Sequence, residues 1–198
     1  GGIFGHVETY FATTETNGRG MLHVHGLMFF EGNLNSAELR EQLMSDTHLQ
    51  STLITFVESL VKNEVDETLT MPVTAEAALG LPHMRISQTD DPDQFREELY
   101  RLSNLVAISR NMHTHNATCY KYNRGKDGKC RFNAPWQLNP ESTINEDGIL
   151  HLKRLHPMIN NWNPFIAATM KCNHDISFIP TNSKFLALMY YITDYATK

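Results

Sequence analysis

Two runs near the start of the chain, residues 3–14 and 21–30, are dense in β-branched and aromatic side chains. Asn17-Gly18-Arg19-Gly20 lies between them, and this order predicts a β-hairpin. On the second run a period of two places His23 and His25 on one face and Leu22, Val24 and Gly26 on the other. Residues 36–62 recur with helical spacing and predict one or two helices, with Ser36 as a partial start cap because Leu39 rather than an acid follows three residues on. Residues 63–88 show no clear period, contain Pro72 and Pro82, and predict a loop or insertion without chemistry. Asp91-Pro92-Asp93-Gln94 is a helix start with capping acceptor, first-turn proline and Gln94 in the third position; Phe95, Leu99, Leu102 and Val106 then form a core stripe. A strand is expected at 148–155, a polar turn at Asn160-Asn161-Trp162-Asn163-Pro164, and one or two strands within 165–180.

The last stretch, residues 182–198, again has helical spacing. At about 100° per residue, Tyr191, Tyr195, Lys198 and Lys184 fall within roughly 60° of one another. Phe185, Met189, Ile192 and Ala196 gather on another side, so two phenols and two amines share a face beside an apolar stripe. Tyr190 points about 100° from Tyr191 and is expected to pack. The elements together predict an α+β fold, a central antiparallel sheet carrying the HxH strand with helices over it and the tyrosine helix brought across its metal face. One domain over residues 1–198 is expected. Because the chain opens at Gly1 without Met and stops at Lys198 inside a helical pattern, it is expected to be a fragment of a longer protein.

Charge changes this picture by its distribution. The net charge of −5 argues against a nucleic-acid partner. Residues 1–108, however, carry 6 Lys+Arg against 16 Asp+Glu, whereas residues 109–198 carry 11 against 6, so a phosphate-binding surface belongs in the second half. The longest apolar run, 185–192, is far short of the ~20 residues that cross a bilayer, and no signal peptide begins the chain. No membrane partner is expected. Three cysteines, Cys119, Cys130 and Cys172, are an odd count in a chain large enough to need no staples, which points to a reduced intracellular setting and metal-binding thiols.

Two constellations carry candidate chemistry. His23 and His25 with a carboxylate or amide across the turn, Glu15 or Asn17, offer three ligands to a divalent ion and leave positions open for substrate oxygens. An HxH pair on a strand by itself equally describes a half-buried polar face. Farther on, His113, His115, Cys119 and Cys130 have the spacing H-x-H-x3-C-x10-C, able to close a tetrahedral Zn²⁺ site within residues 109–133. The loop between the cysteines and its edges bear Lys121, Arg124, Lys126, Lys129 and Arg131, expected contacts to a DNA backbone. His174 and Asp175 of Cys172-Asn173-His174-Asp175-Ile176 are expected in a sheet edge or turn rather than at a site.

Several ordered motifs point the same way: Phe4-Gly5 and the block from Glu15 to Gly26, His113-x-His115-x3-Cys119 with Cys130-Arg131-Phe132, Trp162-Asn163-Pro164, Cys172 to Ile176, and Tyr191-x3-Tyr195-x2-Lys198. Through most of its length the chain thereby resembles the HUH endonuclease domain of Helitron-type rolling-circle transposases, especially those of fungal genomes. The resemblance implies a nuclear enzyme that nicks single-stranded DNA at transposon ends through a covalent 5′-phosphotyrosine. It implies His23 and His25 as ligands of a catalytic Mg²⁺ or Mn²⁺, Tyr191 and Tyr195 as paired nucleophiles, Lys198 as the trailing lysine, and a helicase region elsewhere in the full-length protein. Family members tend to have Glu and then Gln where this chain has Glu15 and Asn17. Glu15 matches, Asn17 is one methylene shorter, and Glu15 is the favoured third ligand. The other readings are a zinc-stabilised DNA-binding module that does not cut, and a replication initiator or relaxase with the same chemistry.

Overall fold

The computed structural model describes residues 2–16, 22–32, 35–66, 68, 83–121, 128–179 and 190. It is a mixed α+β chain with four α-helices and two small two-stranded sheets among those residues. Two compact units account for it, one of residues 1–53, 144–151 and 178–198, the other of residues 54–143 and 152–177. Among the described residues no helix is long and apolar enough to cross a membrane.

In the first unit the expected hairpin forms from β1 (Val7–Thr16) and β2 (Leu22–Phe30). Its antiparallel register sets Glu15 opposite His23 and Thr13 opposite His25, with an irregularity between Val7 and Thr9. Because side chains alternate, this register puts Glu15, His23 and His25 on a common face. The sheet is narrower than the sequence predicts: among the described residues the HxH strand pairs only with β1. Leu22 and Val24, on the face opposite the histidines, are 75% and 62% exposed, so here the apolar face is not a buried one.

Residues 36–62 divide into α1 (Ser36–Ser45) and α2 (Thr47–Leu60). Asp46 makes the break. It closes α1 by donating its N–H to the Gln42 carbonyl, and its carboxylate accepts from the N–H groups of His48 (2.8 Å) and Leu49 (3.0 Å) to begin the next helix. The start cap of α1 is Asn35, not Ser36: the Asn35 Oδ1 accepts from Ala37 and Glu38 at 3.1 and 3.0 Å, which leaves Ser36 as the first helical residue.

The second unit is built on α3 (Pro92–Val106), started as its sequence predicts by the Asp91 carboxylate accepting from Asp93 and Gln94. Gln94 does not return to the cap; its side chain meets Thr89 and Glu98. Leu102 and Val106 are buried and Leu99 packs against them, while Phe95, one turn from the helix start, remains 42% exposed. With Ala107, Ile159, Trp162, Ala167 and Ala168 they form the core. Trp162 satisfies its indole N–H on the Glu64 carbonyl at 3.1 Å.

Two corrections concern the second half. Where strands are expected in 165–180, the chain forms α4 (Pro164–Met170), capped by Asn163 and ended by Lys171 in the left-handed region at φ 50°. The strand expected over 148–155 reduces to β4 (Leu150–His151), paired with β3 (Thr143–Ile144). Asn163 is fully buried: its Oδ1 accepts from Phe165 and Ile166 at 3.0 Å and its Nδ2 donates to the Leu60 carbonyl at 2.8 Å. Asn163→Ala removes a cap and strands a buried carbonyl, and is expected to lower stability by about 2–4 kcal/mol. Urea unfolding of the two proteins checks it; an unchanged midpoint would contradict this role.

Candidate metal centres

The hairpin brings three of the predicted ligands together. His25 Nε2 lies 3.2 Å from Glu15 Oε1, and the His23 and His25 ring centroids are 4.6 Å apart. One donor atom from each of Glu15, His23 and His25 falls within 4.8 Å of the others, close enough to share an ion. The His25 and Glu15 side chains are only 14% and 29% exposed, whereas His23 faces solvent. Such a site is sheltered on one side and open on the other. Two imidazoles and one carboxylate suit Mn²⁺ and related divalent ions, and three protein ligands leave positions for water or phosphate oxygen. Asn17, the alternative ligand, lies outside the described residues.

The second cluster begins where α3 ends. The helix widens into a π-turn at Ala107–Asn111, after which Met112 leaves in an extended conformation and pairs with Ile159. The His113 N–H is thereby tied to the Met158 carbonyl at 2.6 Å. A short 3₁₀ turn, Ala117–Tyr120, follows, capped by the Asn116 side chain and burying Cys119. The Arg131 N–H donates to the Cys119 carbonyl at 2.9 Å, which fastens the second cysteine's turn to the first. Cys119 and Cys130 are 1% and 6% exposed and pack with Ala134, Trp136 and Met158.

His113 Nε2 stands 3.5 Å from Cys119 Sγ, 3.4 Å from Cys130 Sγ and 3.3 Å from His115 Nδ1. Tetrahedral zinc with ordinary bond lengths has N–N edges of about 3.3 Å and N–S edges of about 3.6 Å. The three edges from His113 match those lengths, and one donor atom from each of the four residues lies within 4.8 Å of the others, so the cluster can hold a metal such as zinc. Burial opposes ionisation of the Cys130 thiol, but the Phe132 and Ala134 N–H groups, Cys119 and Arg131 together bring its pKa below the ordinary value. Burial, with His115 beside it, also lowers the pKa of His113. Thiolate and neutral imidazole are the forms a metal needs.

The His113 shift sets a pH dependence. Its folded-state pKa lies below the unfolded value of about 6.5, so its contribution to stability is fully present above that pH and is lost as pH falls through the folded value. Protons also compete with the metal for the imidazoles. Zinc content after dialysis is expected to fall progressively below pH ~6.5; full retention at pH 5 would contradict ligation by these histidines.

Of the predicted cations, Lys121, Lys129 and Arg131 are exposed around this cluster, while Arg124 and Lys126 lie outside the described residues. So do Tyr191, Tyr195, Lys198 and Lys184. Tyr190, expected to pack, is helical and 77% exposed. His174 has a structural position, as its sequence context predicts. Its Nε2 accepts from the Asn163 N–H at 2.9 Å and its Nδ1 faces the Cys172 carbonyl at 3.1 Å, which selects the neutral Nδ1–H tautomer and holds the turn after α4. Burial raises the pKa of Asp175 against the opposing pull of Arg154 and His174.

Sequence reasoning overlooked Arg154. Its guanidinium lies 4.9 Å from the Trp136 ring centroid and donates to the Ile159 carbonyl at 2.8 Å, bracing the wall behind the cysteines. No local motif marks it, because its partners are set by tertiary packing. Comparison of the chain with family models, with curated proteins and with solved structures returns no match.

Proposed function

We propose that this chain is the nuclease part of a Helitron-like rolling-circle transposase, an HUH-type enzyme that nicks and transfers single-stranded DNA at transposon ends. The observation that carries the reading is the Glu15–His23–His25 cluster, three ligands on paired strands within 4.8 Å, in a chain that also holds Tyr191-x3-Tyr195-x2-Lys198. Nuclear location and a helicase region in the full-length protein belong to the same proposal.

A Mg²⁺ or Mn²⁺ held by Glu15, His23 and His25 would polarise the scissile phosphate and offset the charge that develops on it. The 3.2 Å separation of His25 Nε2 and Glu15 Oε1 would let the two donors take neighbouring positions around that ion. Tyr191 or Tyr195 attacks phosphorus; the phenolic O–P bond forms as the P–O3′ bond breaks, and the departing 3′-oxygen takes up a proton as a free hydroxyl. A phenol of pKa ~10 is a weak nucleophile at neutral pH. Lys198, with Lys184, would stabilise the phosphorane or lower that pKa. The 5′-phosphotyrosine conserves the phosphodiester energy, and a second tyrosine permits a second cleavage before the first strand is released.

Incubating the chain with end-labelled single-stranded DNA and Mn²⁺ tests this reading. Cleavage is expected with the wild type and none with a Tyr191→Phe, Tyr195→Phe double variant; equal cleavage by both would refute it. The Cys2His2 cluster supports a second reading, a zinc-stabilised DNA-binding module without nuclease activity. In a Mn²⁺ titration such a module retains DNA affinity and cuts nothing. A replication initiator or relaxase would share the chemistry and differ in the DNA ends recognised.

A further inference from the structure

The rim of the Cys2His2 cluster has a feature that neither metal ligation nor phosphate attraction requires. The residues just after the two buried cysteines turn outward: Tyr120 follows Cys119, and Phe132 lies two positions after Cys130, and these residues are 42% and 43% exposed. They end a row of four rings. Tyr120 lies 6.2 Å from His115, His115 lies 4.9 Å from His113, and His113 lies 5.6 Å from Phe132. The Arg131 guanidinium lies over the Phe132 ring, 4.5 Å from its centroid, so a cation is fixed beside that ring. Exposed rings on a rigid base, among cations, are the combination that binds unpaired bases: the rings stack on base faces while cations follow the phosphates. In a duplex the base faces are occupied by one another and cannot reach such rings.

We infer that Tyr120 and Phe132, on the rim of the His113–His115–Cys119–Cys130 cluster, are a stacking platform for the bases of single-stranded DNA. The platform deepens the proposed function by naming where its substrate is held, and it rests on that reading for the choice of DNA strand. Its sequence preference is weak, because every base has a π-face. The charge context agrees: between residues 117 and 135 the chain carries Lys121, Arg124, Lys126, Lys129 and Arg131 against Asp127 alone.

The test uses the full zinc-loaded chain and fluorescence anisotropy with a labelled oligo(dT) of about 20 nucleotides, beside a duplex of equal length. Tyr120→Leu and Phe132→Leu are each expected to weaken single-strand binding by about 5- to 150-fold, with little effect on duplex binding. Phe132→Tyr is expected to keep the affinity, and zinc content is expected to stay at the wild-type level in all three. Unchanged affinity in both leucine variants overturns the inference, as does loss of zinc together with DNA, which would make the rings structural. Adduct formation by the wild type is read in parallel. Weakened binding in the leucine variants with no wild-type adduct supports the platform and refutes the nuclease; a wild-type adduct with unchanged leucine variants does the reverse.

Discussion

A Cys119→Ala, Cys130→Ala double variant is expected to lose stoichiometric zinc and to loosen the packing of residues 113–121 and 128–136. Both cysteines are buried, and the four donor atoms already lie within 4.8 Å of one another, so little rearrangement opposes metal entry. Structural zinc contributes roughly 10–16 kcal/mol in small zinc-dependent peptides at neutral pH. Here Met158, Trp136 and Arg154 supply part of the support independently, and the loss should be smaller, though still several kcal/mol. Metal analysis and near-ultraviolet circular dichroism of the two tryptophans check it. A variant that keeps its zinc and its wild-type spectrum would remove the metal centre from the account.

The second large effect concerns the hairpin. His25→Ala removes the less exposed of the two strand imidazoles and the partner of Glu15, and should reduce metal-dependent nicking by more than the roughly 10–100-fold typical of losing an outer-shell partner. Glu15→Gln keeps the shape and removes the charge, so part of its activity should return at high Mn²⁺ concentration. No metal concentration should restore a tyrosine double variant. This difference separates the ion from the nucleophile in a single assay of initial nicking rates. Full activity in His25→Ala would show that these strands do not hold the catalytic ion.

The features legible in the sequence were those written in short-range chemistry. Asn17-Gly18-Arg19-Gly20 between two β-rich runs marks the hairpin, and its alternation places His23 and His25 together. Distance along the chain brings Glu15 to them only once the register is known, with Glu15 opposite His23. Asp91-Pro92 marks α3. The same device, Asn163-Pro164, starts α4 in a stretch where strands are expected. A cap with a first-turn proline was the better guide there, because its hydrogen bonds are local, whereas strand preference depends on neighbours the local sequence does not specify.

The His113, His115, Cys119 and Cys130 cluster was legible by spacing. Its setting was not: the π-turn that hands His113 to Met158 comes from tertiary packing, as does the reach of Trp162 back to Glu64. The sheet expectation overreached for the same reason. A strand pattern says which residues alternate; it does not say how many partners the strand finds, and β2 pairs here with β1 alone among the described residues.

The proposed chemistry is tested most directly by locating the covalent bond. The chain is incubated with single-stranded DNA and Mn²⁺, digested with nuclease and protease, and its peptides are weighed by tandem mass spectrometry. A nucleotide remnant joined through its 5′-phosphate to Tyr191 or Tyr195, absent when Mn²⁺ is chelated, is the predicted result. DNA that is bound and recovered intact, with both tyrosines unmodified in folded, metal-loaded protein, would contradict the nuclease and leave the zinc-stabilised binding module.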